Sequence, residues 1–207
     1  MSEQERAVTL AGVALQRSCH ACAFFHNIEE EYEILLPFVK EGLEWNDRSF
    51  HVIAADRRGE WVERLRQAEI DVDDHGRVDV RTWDDVHLRT GAFDQQDMLS
   101  LIQEVLAASR DLGYGMTRFW ANMEWALEER PGVEDLVEYE SRLNNVLPNS
   151  GDVVVCTYDL NRFDASVIMD VLRIHPMVIL GGYIQENPFY LDPAQFLKEL
   201  RERKRAS

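Results

Sequence analysis

Cysteine is scarce in this chain: Cys19, Cys22 and Cys156 are the three among 207 residues. An odd and small number builds no disulfide framework. No apolar run approaches the roughly 20 residues of a membrane span. The opening MSEQERAV lacks a charged region followed by an apolar stretch, so no secretory signal is read there. A cytoplasmic location without membrane contact is the expectation. Basic residues are few as well, 22 against 38 acidic ones, for a formal charge of −16. A nucleic-acid surface needs clustered Lys and Arg to displace counterions, so no nucleic-acid partner is expected. The one basic cluster, Lys198, Arg201, Arg203, Lys204 and Arg205, reads as cations complementing the dipole at the end of a final helix. Also missing is the glycine-rich G-x-x-x-x-G-K-[ST] loop that cradles nucleotide phosphates.

Hydrophobic residues make up 45% of the chain and aromatics 10%, enough to exclude disorder and to bury one sizeable core. The periodicity alternates between two kinds. Apolar runs at 20–25, 49–55, 78–82, 117–121, 152–158 and 177–180 predict strands. Between them Ile28, Tyr32, Leu35, Leu36, Val39 and Leu43 mark a helix, with Pro37 predicting a kink or a break. Further helices follow from Trp61, Leu65 and Ala68, from Met98–Leu106 closed by Gly113, over 122–129, over 133–148 and over 163–174. Asp192-Pro193 starts the last one with an N-cap and a first-turn proline. Continuous apolar strands alternating with helices predict a mostly parallel α/β sheet covered on both faces. A polar lead-in over 1–17, one domain over 18–191, and a terminal helix with basic tail over 192–207 are the expected organisation.

In such sheets ligands lie outside the carboxyl ends of the strands. That rule points to His26-Asn27, Asp56, Ala121–Glu124 and Tyr158-Asp159. At the first strand–helix junction Glu29, Glu30 and Glu31 already occupy the positive end of the helix dipole, where a phosphate would meet like charge. His20-x-Cys22 puts two metal-capable side chains on one strand face. With His26, Cys156 or His175 they would complete a tetrahedral zinc site. Yet C-x-x-C and H-x-x-x-H are both absent, so neither metal nor cofactor is expected. Cys156, mid-strand after three valines, reads as structural. The same holds for His175 before Pro176. Strand-end capping and projection into the crevice stand level for Tyr158 and Asp159.

Taken together, His20-x-Cys22-x-Phe24-Phe25, Glu30 with Tyr32, Pro37-Phe38-Val39-Lys40-Glu41-Gly42-Leu43, Tyr139-Glu140-x-x-Leu143, Cys156-x-Tyr158-Asp159, His175-Pro176 and Asn187-Pro188-x-Tyr190 resemble the MEDS family of sensory domains over about 18–191. The resemblance implies a RecA/KaiC-like P-loop architecture without a functional Walker A loop. It also implies sensing of small hydrocarbon derivatives in prokaryotic signalling. The segment Arg118-x-x-x-x-Met123-x-Trp125 departs from the family by carrying Asn122 where an acidic residue is usual. No segment outside 18–191 is large enough for an output domain, so the output is expected to act in trans. The partner would be a histidine kinase, an anti-sigma-type protein or a transcription regulator, or a homo-oligomer of the chain.

The leading expectation is a non-catalytic sensor of a small organic ligand, held by His20, Cys22, His26, Glu30, Asn122, Glu124, Tyr158 and Asp159. Phe24, Phe25 and Trp120 would form the apolar wall. Two rivals stand beside it. One is a thiol- or carboxylate-dependent enzyme using Cys22 or Cys156, His20 or His175, and Glu124. The other is an acidic protein–protein adaptor without a ligand.

Overall fold

A computed structural model describes residues 8–15, 18–72, 76–147 and 151–206. The chain begins with a hairpin, β1 (Val8–Leu10) and β2 (Val13–Leu15), turning through Ala11 and Gly12, both at positive φ. The lead-in is therefore structured in part: Val8, Leu10 and Leu15 are buried and pack with the first helix. The rest is a run of strands and helices: β3 (Cys19–Phe25), α1 (Ile28–Glu44), β4 (Arg48–Ile53), α2 (Arg58–Gln67), β5 (Val78–Thr82), α3 (Gln95–Asp111) and β6 (Thr117–Asn122). After these come α4 (Leu136–Leu143), β7 (Val153–Asp159), α5 (Ala165–Ile174), β8 (Met177–Leu180), β9 (Tyr183–Glu186) and α6 (Pro193–Ala206).

Seven strands form one sheet in the order β5-β4-β6-β7-β3-β8-β9, all pairs parallel except the β8–β9 hairpin. The predicted mostly parallel α/β sheet is what forms. Strand β3 is buried along its whole length, as expected of a strand covered on both faces. Ala21, Ala23 and Phe25 face α1, α2 and the hairpin. Cys22 and Phe24, one residue out of phase, face α3, α4 and α5. Helix α6 lies outside, burying Phe196 and Leu200 against Ile174. Its basic end pairs across the molecule, Arg203 with Asp170 and Lys204 with Asp135 and Glu138.

Several expectations change. The segment 122–129 is not an α-helix but a short 3-10 turn over Glu124–Leu127. The helix expected over 133–148 is α-helical only over Leu136–Leu143, and its expected end at Pro148 lies outside the described residues. Strand β9 was hidden, because Gly181 and Gly182, both at positive φ, make a tight turn between two short strands. Pro37 does not divide α1, which runs as one helix of 17 residues. No helix among the described residues is long and apolar enough to cross a membrane.

The sheet's order reverses between β3 and β7. Chain leaves β3 toward β4 on one side and leaves β7 toward β8 on the other. Such a switch point opens a crevice at the carboxyl edge of an open parallel sheet.

Candidate functional site

At that carboxyl edge the first turn of α1 is closed by its own side chains. Asn27 Oδ1 accepts the N–H groups of Glu29 and Glu30, both at 3.1 Å. Glu30 reaches back to accept from the His26 N–H at 2.9 Å and from Asn27 Nδ2 at 3.0 Å. This is a reciprocal cap in which the Glu29 and Glu30 N–H donors of the first turn are already used. Glu29 turns outward to Arg64. The place where a phosphate would dock is thus occupied by carboxylates and spent donors. His26 and Glu30, exposed or half-buried, border a separate cleft of about 460 Å³ with Phe24, Phe25, Leu180 and Gly181.

Glu31 points the other way, into the molecule. Its Oε1 accepts from Trp120 Nε1 at 2.9 Å and from Thr157 Oγ1 at 3.0 Å. Burial raises its pKa above the usual carboxylate range, outweighing those hydrogen bonds and the nearby Arg57. Arg57 lies 3.8 Å from Glu31 and 3.8 Å from Glu124, and Glu124 in turn pairs with Arg162. A chain of alternating charge therefore crosses the ends of β4, β6 and β7. On one side of Arg57 is a narrow apolar crevice of Ile28, Tyr32, Leu35, Trp61 and Trp120. On the other is a polar cleft of about 340 Å³ bordered by Asp56, Asp84, Glu124, Glu128, Arg130 and Arg162. Asn122 lies at the crevice wall, and its Oδ1 accepts the Glu124 N–H at 3.2 Å, holding the turn that presents Glu124.

A second group of polar side chains is buried on the opposite face of the sheet. His20 of β3, Glu140 of α4, Cys156 of β7 and His175 at the end of α5 bring their ligand-capable atoms within 4.8 Å of one another. His175 Nε2 is 3.0 Å and His20 Nε2 3.5 Å from Glu140 Oε2, while Cys156 Sγ is 3.6 Å from His20 Nε2. The two imidazole rings have their centroids 4.2 Å apart. Burial depresses the His175 pKa, and the adjacent His20 adds to that. Cys22 is not in the group. It sits beside Cys156 in register and its thiol turns to Met177 O at 3.7 Å. Among the described residues, His20, Glu140, Cys156 and His175 are the group placed to hold a metal.

The expected site residues thus divide. Asn122 and Glu124 lie along the crevice and cleft beside Arg57, His26 and Glu30 border the neighbouring cleft, and His20 joins the buried group. Tyr158 does not project into the crevice: it is fully buried against Phe24 and Phe163. Asp159 caps a turn, accepting the Asn161 N–H at 2.8 Å. Glu31, Arg57, Arg162 and Glu140 escaped the sequence reading as site residues. For Glu140 a signal was present, a carboxylate within the apolar stripe Leu136, Tyr139, Glu140, Leu143 at helical spacing. Thiol catalysis finds no support in the geometry. All three cysteines are buried, and burial pushes Cys19 up to about 12 and Cys22 and Cys156 well above their ordinary range.

The chain's fold is shared with a solved protein from Pyrococcus horikoshii OT3, at a TM-score of 0.53 over 81% of this chain and 85% of that one, with 12% identity. At that identity the likeness speaks for the fold alone. Among curated proteins the chain is similar to the transcriptional repressor DcmR of Methylorubrum extorquens (strain DSM 6343 / CIP 106787 / DM4), with 25% identity over 169 residues. The match takes in 80% of this chain and 61% of the repressor's length. The family pattern described as MEDS, methanogen/methylotroph, DcmR sensory domain, matches residues 19–176. The chain therefore belongs to the MEDS family of sensory domains.

Proposed function

We propose that this protein is a non-catalytic sensor that binds a small organic molecule at the carboxyl edge of its sheet and passes the signal to an output partner in regulation of transcription. The observation that carries this is the junction at Arg57, where an apolar crevice meets a polar cleft across the Glu31–Arg57–Glu124–Arg162 chain. Ligand sites combine apolar walls with a few convergent polar groups in this way. A hydrocarbon derivative has both parts: its polar group suits Arg57 or Glu124 in the cleft, and its apolar body suits Tyr32, Trp61 and Trp120 once the crevice, about 10 Å³ as it stands, widens around it. Closure of the α1 terminus by Asn27 and Glu30 supports a ligand other than a nucleotide. The similarity to a transcriptional repressor supports a regulatory output.

Ligand entry would compete with Arg57 for its two carboxylates, and that competition is the switch this reading requires. Isothermal calorimetry against a panel of one-carbon compounds and larger metabolites tests it. A compound that binds the wild-type protein should lose at least tenfold in affinity in Arg57→Met and in Glu124→Gln. Affinity left intact in both, but lost in His26→Ala, would move the site to the neighbouring cleft. Binding of ATP with magnesium at the α1 terminus would overturn the reading.

A further inference from the structure

We infer that His20, Glu140, Cys156 and His175 form a buried tetrahedral site for a divalent zinc ion, pinning β3, β7, α4 and α5 together beneath the sheet. None of these four residues lines the proposed ligand crevice or cleft, so failure of this site would leave that reading untouched.

Asn144 donates through Nδ2 to Ile174 O at 2.7 Å, which fixes its Oδ1 as an acceptor. His20 Nδ1, 3.0 Å from that oxygen, must then carry the ring hydrogen. His175 Nδ1 lies 2.8 Å from Val171 O, which can only accept, so it too carries hydrogen. With each ring neutral, both Nε2 atoms then present lone pairs toward Glu140 and Cys156. A metal-bound histidine is oriented in this manner by donating its other N–H to a carbonyl.

Glu140 is fully buried, and neither of its carboxylate oxygens receives a hydrogen bond of good geometry, although His175 Nε2 lies 3.0 Å and His20 Nε2 3.5 Å from its Oε2. Two lone pairs and a carboxylate converging in a dry interior repel one another unless a cation lies between them. Zinc balances the charge: its two positive charges meet one carboxylate and one thiolate, with both imidazoles neutral. Binding releases the Cys156 thiol proton to solvent, and no other bond changes.

Zinc–ligand bonds of roughly 2.0–2.3 Å imply ligand–ligand separations of roughly 3.3–3.8 Å in a tetrahedron. Three of the six separations, 3.0, 3.5 and 3.6 Å, fall at or near that range, and all six lie within 4.8 Å, so the set would draw in around the ion. A set of two nitrogens, one sulfur and one oxygen suits zinc over magnesium or calcium, which take oxygen ligands. With four protein ligands the site is closed, as structural zinc sites are. The sequence reading expected no metal because the four ligands are scattered over positions 20 to 175, each in a different element.

The test uses wild-type protein stripped with a chelator and titrated with cobalt(II), a spectroscopic stand-in for zinc. Stoichiometric uptake with tetrahedral ligand-field bands and a thiolate-to-cobalt charge-transfer band is expected, and zinc should displace both. Cys156→Ser should abolish the charge-transfer band, while Cys22→Ser, one strand over, should retain it. Asn144→Ala, which only orients His20, should weaken zinc binding roughly 10- to 100-fold. Circular dichroism confirms that each variant is folded. A folded wild-type protein that takes up neither cobalt nor zinc would overturn the inference, as would a charge-transfer band surviving in Cys156→Ser.

Discussion

Replacing Asp47 with alanine should cost this protein about 3 kcal/mol of stability. Arg118 is buried at the start of β6, and its side chain is wholly enclosed. Its Nε donates to Asp47 Oδ2 at 2.8 Å, and its second nitrogen donates to Phe38 O at 2.6 Å and Glu41 Oε2 at 2.9 Å. The guanidinium also lies over the Phe38 ring at 4.6 Å. Removing one partner of a buried pair leaves an uncompensated charge, at a cost of about 3–5 kcal/mol. Glu41 is 22% exposed and stays in place, so the lower end of that range applies. For a chain of this size about 3 kcal/mol lowers Tm by roughly 6–12 °C. Urea denaturation followed by circular dichroism should show the midpoint falling at unchanged slope. The double variant Asp47→Leu/Arg118→Met, which removes both charges, should regain most of the loss. A change in Asp47→Ala below about 1 kcal/mol would show that the pair is solvated in a way its burial denies.

Two further outcomes follow from the same enclosed interior. Gly42→Ala would place a methyl 2.6 Å from Arg118 Nε and 2.7 Å from its Cδ. The guanidinium is pinned and cannot yield, so overpacking of about 1–3 kcal/mol should exceed the roughly 1 kcal/mol that alanine adds to a helix. Differential scanning fluorimetry showing a raised Tm would contradict this. His51 and His87 are buried against Trp61 and Trp125, and burial drops each from the ordinary 6.5 to about 3, with Asp79 and Glu140 only partly opposing. As pH falls below 6.5 the unfolded chain takes up protons that the folded chain refuses. The stability these groups confer is thus present above 6.5 and lost toward 3, at about 2–3 kcal/mol per pH unit for the two together. Urea midpoints that stay constant on acidification through this window would refute the assignment.

The strands and most helices were legible because their periodicities are local. Six strands stand where apolar runs predicted them, and Asp192-Pro193 opens α6 as its cap chemistry required. The β1–β2 hairpin and β9 were not, since strands of three or four residues carry too little alternation to outweigh polar neighbours. The helix read over 122–129 failed for a related reason. Asn122 and Glu124 are tied into a turn by the hydrogen bond between them, and Pro131 follows too soon for an α-helix to grow.

Sequence alone determined the alternation of strand and helix, the acidic balance, and the blocked anion site, because Asn27 and Glu30 act within a few residues of one another. Only the tertiary structure decided which polar residues meet. Glu31 and Glu140 each lie one helical step among apolar neighbours, and nothing local says what waits across the sheet. The crossing order β6-β7-β3 brings Trp120 and Thr157 to the first. It sets His20 and Cys156, two positions apart in paired register, beneath the second. Such sites are long-range by construction: a buried carboxylate is satisfied by whatever the fold delivers, and chain topology, not spacing, makes the delivery.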